Sequence, residues 1–294
     1  MERKLNIDPS DSISALRYFL KQFPLRTKKW KFFFRGKSFE FDGYRQYTPD
    51  DDVGSIDWKA SNRTGQLLIR QYKEEEEKKI IFLIDVGESM VTGSTPKLKC
   101  EYSAEIFLSL VNLIVTVNDR VGLIMYSDSI KGNYPPKRGT NLFDIYEDIL
   151  SNPNVYGGGS DLSSAVEFVT QNSDNSVSAV VVISDFIKFN KKIAHSLEIL
   201  SSRYETLAFI VKDPIDMKMP NVSGEFIVSD PNTGQQLLVD PKIAKTVYEK
   251  HAMEQEKKVK ESLKDSGIDF INFYTDKPYV HDLINFLEER VKYK

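Results

Sequence analysis

Five short apolar runs constrain what this chain can become. They are IIFLID at 80–85, RVGLIMYS at 120–127, AVVVISD at 179–185, TLAFIVKD at 206–213 and DFINFYT at 269–275. Runs this short and this apolar suit strands covered on both faces. Between and after them lie apolar residues at helical spacing. One set is Leu98, Tyr102, Ile106, Leu110, Leu113 and Val117. Others are Leu162, Ala165, Val166 and Val169, then Ile193, Leu197 and Leu200, and finally Val280, Ile284, Leu287 and Val291. Strands alternating with amphipathic helices predict an α/β fold of Rossmann type, a mainly parallel central sheet flanked by helices.

Two segments break the alternation. EFIVSDPNTGQQLLVD sets Pro231–Gly234 between strand-like runs and predicts a β-hairpin, inserted at about 213–240. A long polar helix over about 241–264 follows it. Upstream, Asp11 or Ser12 is expected to cap a helix carrying Ile13, Leu16, Phe19 and Leu20, with Pro24 as its stop. WKFFFRGKSFEFDGYRQY and QLLIRQY read as strands, and TPDDDVGSIDWKASNRTG between them as polar and turn-rich. The charge run from Lys73 to Lys79 reads as a solvated strand end or linker. The chain thus divides into a helix-plus-strand segment, 1–79, and a larger α/β domain, 80–294.

Charge and composition exclude several functions. Forty Lys and Arg stand against 43 Asp and Glu, for a net charge of −3. That balance argues against a general nucleic-acid binder. One cysteine, Cys100, and three scattered histidines, His195, His251 and His281, rule out a disulfide framework and a Cys/His metal site. Cys100 is expected to pack, and Lys97 and Lys99 to lie in solvent. MERKLNIDPSDS has no apolar signal core, and Ile106–Val117 is too short to span a bilayer. A cytoplasmic protein is expected.

The carboxyl ends of the strands are where open α/β sheets gather ligands. Asp85-Val-Gly87-Glu88-Ser89 ends the first apolar run, and Ser184-Asp185 ends the third. Tyr156-Gly-Gly-Gly-Ser160-Asp161 enters a helix. Carboxylates and hydroxyls on three loops suit Mg²⁺ or Mn²⁺, whose shells are filled by oxygen. Ser160 or Asp161 equally suits a helix cap. The triple glycine lacks the Lys-Ser/Thr of a P-loop.

Asp85-x-Gly87-x-Ser89, Ser160 and Asp185 resemble the metal-ion-dependent adhesion site of von Willebrand factor type A domains. That resemblance implies a divalent cation, Mg²⁺ or Mn²⁺, on Asp85, Ser89, Ser160 and Asp185, with an open position for a partner protein's carboxylate. It covers about residues 80–294. Gly87 departs from the pattern, since it stands where a ligand serine is expected, and Glu88 beside it is a candidate extra ligand. FEFDGYRQYTPDDDVGSIDWKASNRTG, LLIRQYKEEEE, DRVGLIMYSD, Pro135–Gly139 and DPNTGQQLLVD resemble the domain of unknown function 58 family over nearly the whole chain. The resemblance implies a von Willebrand A-like domain behind a small β-rich segment, in a bacterial protein that partners a MoxR-type AAA+ ATPase during assembly or maturation of a client protein. Arg45, Asp51, Asp52, Asp57, Trp58 and Arg63 match that family's upstream motif, while Asp50 and Gly54 depart from it. They read as a contact surface or, preferably, as a self-bonded turn with Asp57 capping, Trp58 buried and Arg63 paired. The function expected is a non-enzymatic interaction module. Its alternatives are a metal-dependent phosphate-ester hydrolase with Ser89 or Asp85 as nucleophile, and a structural subunit whose metal site has decayed.

Overall fold

The computed structural model describes residues 5–22, 41–49, 51–72, 78–219, 226–229 and 236–292. Its centre is a six-stranded sheet. All five apolar runs make its parallel core: β3 (Lys79–Asp85), β4 (Arg120–Tyr126), β6 (Val177–Ser184), β7 (Glu205–Lys212) and β10 (Asp269–Tyr274). The sixth strand, β5 (Ile130–Lys137), runs antiparallel to β4 at one edge of the strand order β10-β7-β6-β3-β4-β5. It was not expected. Its residues alternate between half-buried and exposed, and it carries Pro135 and Pro136, which an edge strand tolerates.

Successive strand residues face opposite sides of the sheet, and the two sides have separate cores. Ile80, Phe82 and Ile84 of β3, with Val181 and Ile183 of β6, pack on one side with α3 (Lys99–Thr116), α4 (Leu142–Leu150) and α9 (Val280–Lys292). Ile81 and Leu83, with Val180 and Val182, pack on the other with α5 (Leu162–Asn172), α6 (Lys191–Arg203) and α8 (Pro241–Asp265). The expected helices are all present, and α4 is an addition. The hairpin is β8 (Phe226–Ser229) against β9 (Gln236–Val239), and its turn lies outside the described residues. The stretch leading to it opens with a helical turn, α7 (Pro214–Met217), where the sequence had predicted only insertion. Among the described residues no helix is long and apolar enough to cross a membrane.

The first segment is split between two places. α1 (Ser10–Gln22) starts at Ser10, whose amide donates to Asp8, so the expected cap at Asp11 or Ser12 is not the one used. Leu16 is fully buried in the main core. Asn6 N and Asp8 N donate to Glu101 and Glu105 of α3 at 2.7 and 2.8 Å. The N-terminal arm is therefore bolted to α3. Pro24, most of the aromatic stretch and Glu74–Glu77 lie outside the described residues. β1 (Phe41–Gln46) pairs antiparallel with β2 (Leu68–Tyr72), and α2 (Trp58–Thr64) joins them.

The upstream motif sits in this small unit. Arg45 clamps Asp51 with two hydrogen bonds of 2.6 Å, and Asp51 also accepts from Thr48 N and Oγ1. The Arg45 bonds, then Thr48, hold the Asp51 carboxyl well below its usual range. Asp52 accepts from Gly54 N, and Asp57 caps α2 by accepting from Lys59 N and Ala60 N. Two expectations fail here. Trp58 is 59% exposed, and Arg63 is exposed with no ion pair among the described residues. Both lie on a helix of seven residues whose inward positions are taken by Ser61 and the cap. Asp57→Ala is expected to cost about 1 kcal/mol of stability, the usual worth of a cap. Trp58→Ala should stay within about 0.5 kcal/mol, as surface changes do. Urea titration of both variants checks this.

Candidate functional site at the carboxyl edge of the sheet

Asp85 ends β3 at the middle of the sheet, and it is 1% exposed. Its Oδ2 accepts Ser160 Oγ at 2.7 Å, Ser184 Oγ at 2.8 Å and, more weakly, Tyr126 OH at 3.4 Å. Its Oδ1 accepts Gly87 N at 2.9 Å. Asp185 follows β6, and the alternation of that strand turns it toward the α3 side of the sheet. There it meets Lys99, in the first turn of α3. Lys99 Nζ donates to Asp185 Oδ2 at 2.9 Å and to both carboxylate oxygens of Asp216 at 3.0 and 3.1 Å. Asp185 Oδ1 accepts Ile187 N at 3.1 Å.

Lys99 overturns its expected place in solvent: its side chain is fully buried. Lys97 is a third exposed and paired with Glu105. Cys100 packs as expected, and burial raises its thiol to about 12, which makes it inert. A lysine at a helix N-terminus opposes the helix dipole, so its neighbours must hold it there. Asp216 is brought by α7, where Asp213 N donates to the Asp216 side chain and Ile215 N to the Asp213 side chain. Asp213 also accepts from Ser94 N and Thr275 Oγ1, joining three loops. The sequence reading missed Lys99, Asp213 and Asp216. The Asp-Pro-x-Asp spacing at 213–216 is a legible capping box, but nothing marks Lys99 as its partner.

The electrostatics split the two central carboxylates. Burial, then the charge of Asp185, pushes Asp85 up to about 6. Burial also works against Asp185, but Lys99 and Lys212 overcome it and hold Asp185 below its usual value. Burial would depress Lys99, yet Asp185 and Asp216 raise it, so it stays charged. The charged triad satisfies itself, whereas Asp85 rests on neutral hydroxyls and one amide.

The four proposed metal-site residues are gathered at this edge. Ser89, Ser160 and Asp185 line one hollow of about 10 Å³, room for about a single water. Asp85 is tied to it through Ser160 and Ser184, both of which line it. Glu88 lies beside Gly157 and does not line the hollow. Gly87 adds no side-chain oxygen and leaves no space for one: a Cβ there would stand 2.6 Å from the Gly159 carbonyl oxygen. Gly157 N donates to Val86 O and Glu88 N to Gly158 O, so the glycine loop is zipped onto the Asp85 loop. Gly158 has a φ of +81°, and a Cβ on it would meet Asp128 at 3.0 Å. Asp161, not Ser160, caps α5 by accepting from Ser164 N. The oxygen donors suit a hard cation in kind. Asp85, Ser89 and Ser160 are the ones not engaged by Lys99, and Mg²⁺ needs few protein ligands because it keeps several waters.

Residues 43–258 match the model of the family described as protein of unknown function DUF58. The chain belongs to the DUF58 family. An uncharacterized protein of Mycobacterium tuberculosis is 23% identical to this DUF58 chain over 250 residues, covering 84% of this chain and 78% of the relative. The conserved hypothetical protein BatB of Bacteroides thetaiotaomicron has a similar structure, with a TM-score of 0.50 and 14% identity over 73% of this chain and 99% of BatB. A von Willebrand factor type A structure from Catenulispora acidiphila is also similar, with a TM-score of 0.37 and 9% identity over 76% and 44%. The expected family and the α/β fold are both found.

Two outcomes are expected of this DUF58 edge. Lys99→Met leaves Asp185 and Asp216 buried without their cation and should cost about 3–5 kcal/mol, read by chemical denaturation. The raised Asp85 carboxyl makes its ionisation costly to the fold. In metal-free buffer the cost is absent below about pH 4, grows as pH rises, and is complete above about pH 6. Asp85→Asn should therefore exceed the wild type by about 2–3 kcal/mol at neutral pH and lose the advantage at pH 4.

Proposed function

We propose that this chain is a non-enzymatic, intracellular protein-interaction module that docks a partner at the carboxyl edge of its sheet. The observation that carries the reading is the gathering of Asp85, Ser89, Ser160, Ser184 and Asp185 on three loops around one small hollow. Such an edge offers a partner hydroxyls, backbone and buried charge on a rigid scaffold. A divalent cation, Mg²⁺ or Mn²⁺, would be held by Asp85, Ser89 and Ser160, with Asp185 adding charge from its place on Lys99. When bound, it would supply a position that a partner's carboxylate completes. The protein's own residues do the rest. Lys99 fixes Asp185, the hydroxyls of Ser160 and Ser184 orient Asp85, and the glycine loop keeps bulk away from the hollow. Membership in the DUF58 family supports an interaction role, and the partner we propose is a MoxR-type AAA+ ATPase that acts with this chain on a client protein.

Affinity-tagged chain purified from its native cells tests the reading. A MoxR-type ATPase should appear in the eluate, and both chelator and Asp85→Ala should reduce its yield by about tenfold, the loss of one charge-assisted contact. Equal recovery under all conditions would overturn the cation-bridged docking. Absence of any such ATPase would overturn the partner.

A further inference from the structure

A second, larger cavity lies between the carboxyl ends of β6 and β7 and the helix α8. It measures about 160 Å³. Phe186, Ile187, Ile210, Met217 and Val259 give it apolar walls. Lys212, the last residue of β7, also lines it, and Lys212 is only 7% exposed. Strand alternation sets Lys212 on the same face as Ala208 and Ile210, the face that packs against α8.

The other polar groups of the cavity are spoken for. Asp216 is held by Lys99 and by Asp213 N. Glu256 pairs with Lys260 at 2.6 Å and accepts from Asn272 Nδ2 at 2.5 Å. Gln255 Nε2 donates to Phe189 O at 3.0 Å, and Tyr248 OH donates to Ile215 O at 2.5 Å. His251 is exposed. Lys212 differs from all of these: among the described residues it makes no hydrogen bond and no ion pair. Burial pushes its ammonium below the usual lysine range, with Asp185 and Asp216 offsetting part of that push.

Lys212 Nζ reaches the cavity space, and Asp185 and Asp216 act on it only through longer-range charge. An ammonium so far withdrawn from bulk water and bonded to no described protein group favours an acceptor supplied from within the cavity. Apolar walls around one unpaired donor describe a ligand with an anionic end and a short apolar body. A cavity of about 150 Å³ accommodates a ligand of about six non-hydrogen atoms such as benzene. A phosphate or sulfate would fill the polar end and leave the apolar walls bare. We propose that this cavity binds a short-chain aliphatic monocarboxylate, with its carboxylate on Lys212 Nζ and its chain among Phe186, Ile210 and Val259. The cavity shares the Phe186–Ile187 wall with the Ser89–Ser160 hollow but has its own polar group in Lys212, and the assignment does not rest on the docking reading.

Methyl-labelled full-length protein titrated with sodium butyrate, 1-butanol and butylamine tests this. Butyrate should shift the Ile210 and Val259 methyl resonances saturably. The alcohol and the amine should bind at least about tenfold more weakly, because neither completes the charge-assisted bond. Lys212→Met should abolish the butyrate shifts. Ala252→Phe, which fills the cavity from α8 and leaves Lys212 in place, should abolish them too and covers the case in which the first variant folds poorly. Butyrate shifts that do not saturate, that survive both substitutions, or that butanol reproduces at equal concentration would overturn the assignment.

Discussion

One buried ammonium organises the upper edge of this molecule. Lys99 stands in the first turn of α3, where the helix dipole repels it and burial disfavours its charge. Asp185 from the end of β6 and Asp216 from the turn after β7 compensate. Three elements far apart in sequence thus meet at one nitrogen. The arrangement sets the protonation of the whole edge. Asp185 is pulled down by the lysine, and Asp85, left with neutral donors and a charged neighbour, is pushed up. Two carboxylates in one buried site separate their titrations in this way whenever only one of them has a cation. An added cation would therefore find its largest electrostatic gain at Asp85.

The glycines explain why this edge differs from the pattern it resembles. Loss of a serine hydroxyl at residue 87 would by itself open space. Here the space is closed, since the Gly159 carbonyl oxygen lies where a Cβ would go. The closure depends on two backbone hydrogen bonds between the loops, Gly157 N to Val86 O and Glu88 N to Gly158 O. It also depends on the positive φ of Gly157 and Gly158, which side chains rarely tolerate. The missing ligand and the tight loop are two sides of one packing solution. Reintroducing a serine would collide with the loop rather than restore a donor.

The sheet was legible because its strands are apolar on both faces, and the period of that pattern is local. Ile80–Asp85 and Ala179–Asp185 announce themselves without knowledge of any neighbour. β5 did not, because an edge strand has one face in water, and Gly132, Pro135 and Pro136 erase its pattern. Asp85, Ser89 and Asp185 stand at or just past the ends of apolar runs and Ser160 in a glycine-rich loop entering a helix, and topology brings these positions together. Lys99 was misplaced for the converse reason. A lysine at a helix start, with Lys97 and Glu101 two residues to either side, reads as solvated, and its partners lie 86 and 117 residues away. The upstream motif divides on the same line. Asp57 caps amides two and three residues on, and Arg45 finds Asp51 six residues on, so both bonds were within reach of local reasoning. The burial of Trp58 depended on what packs over a short helix, and no local pattern reports that.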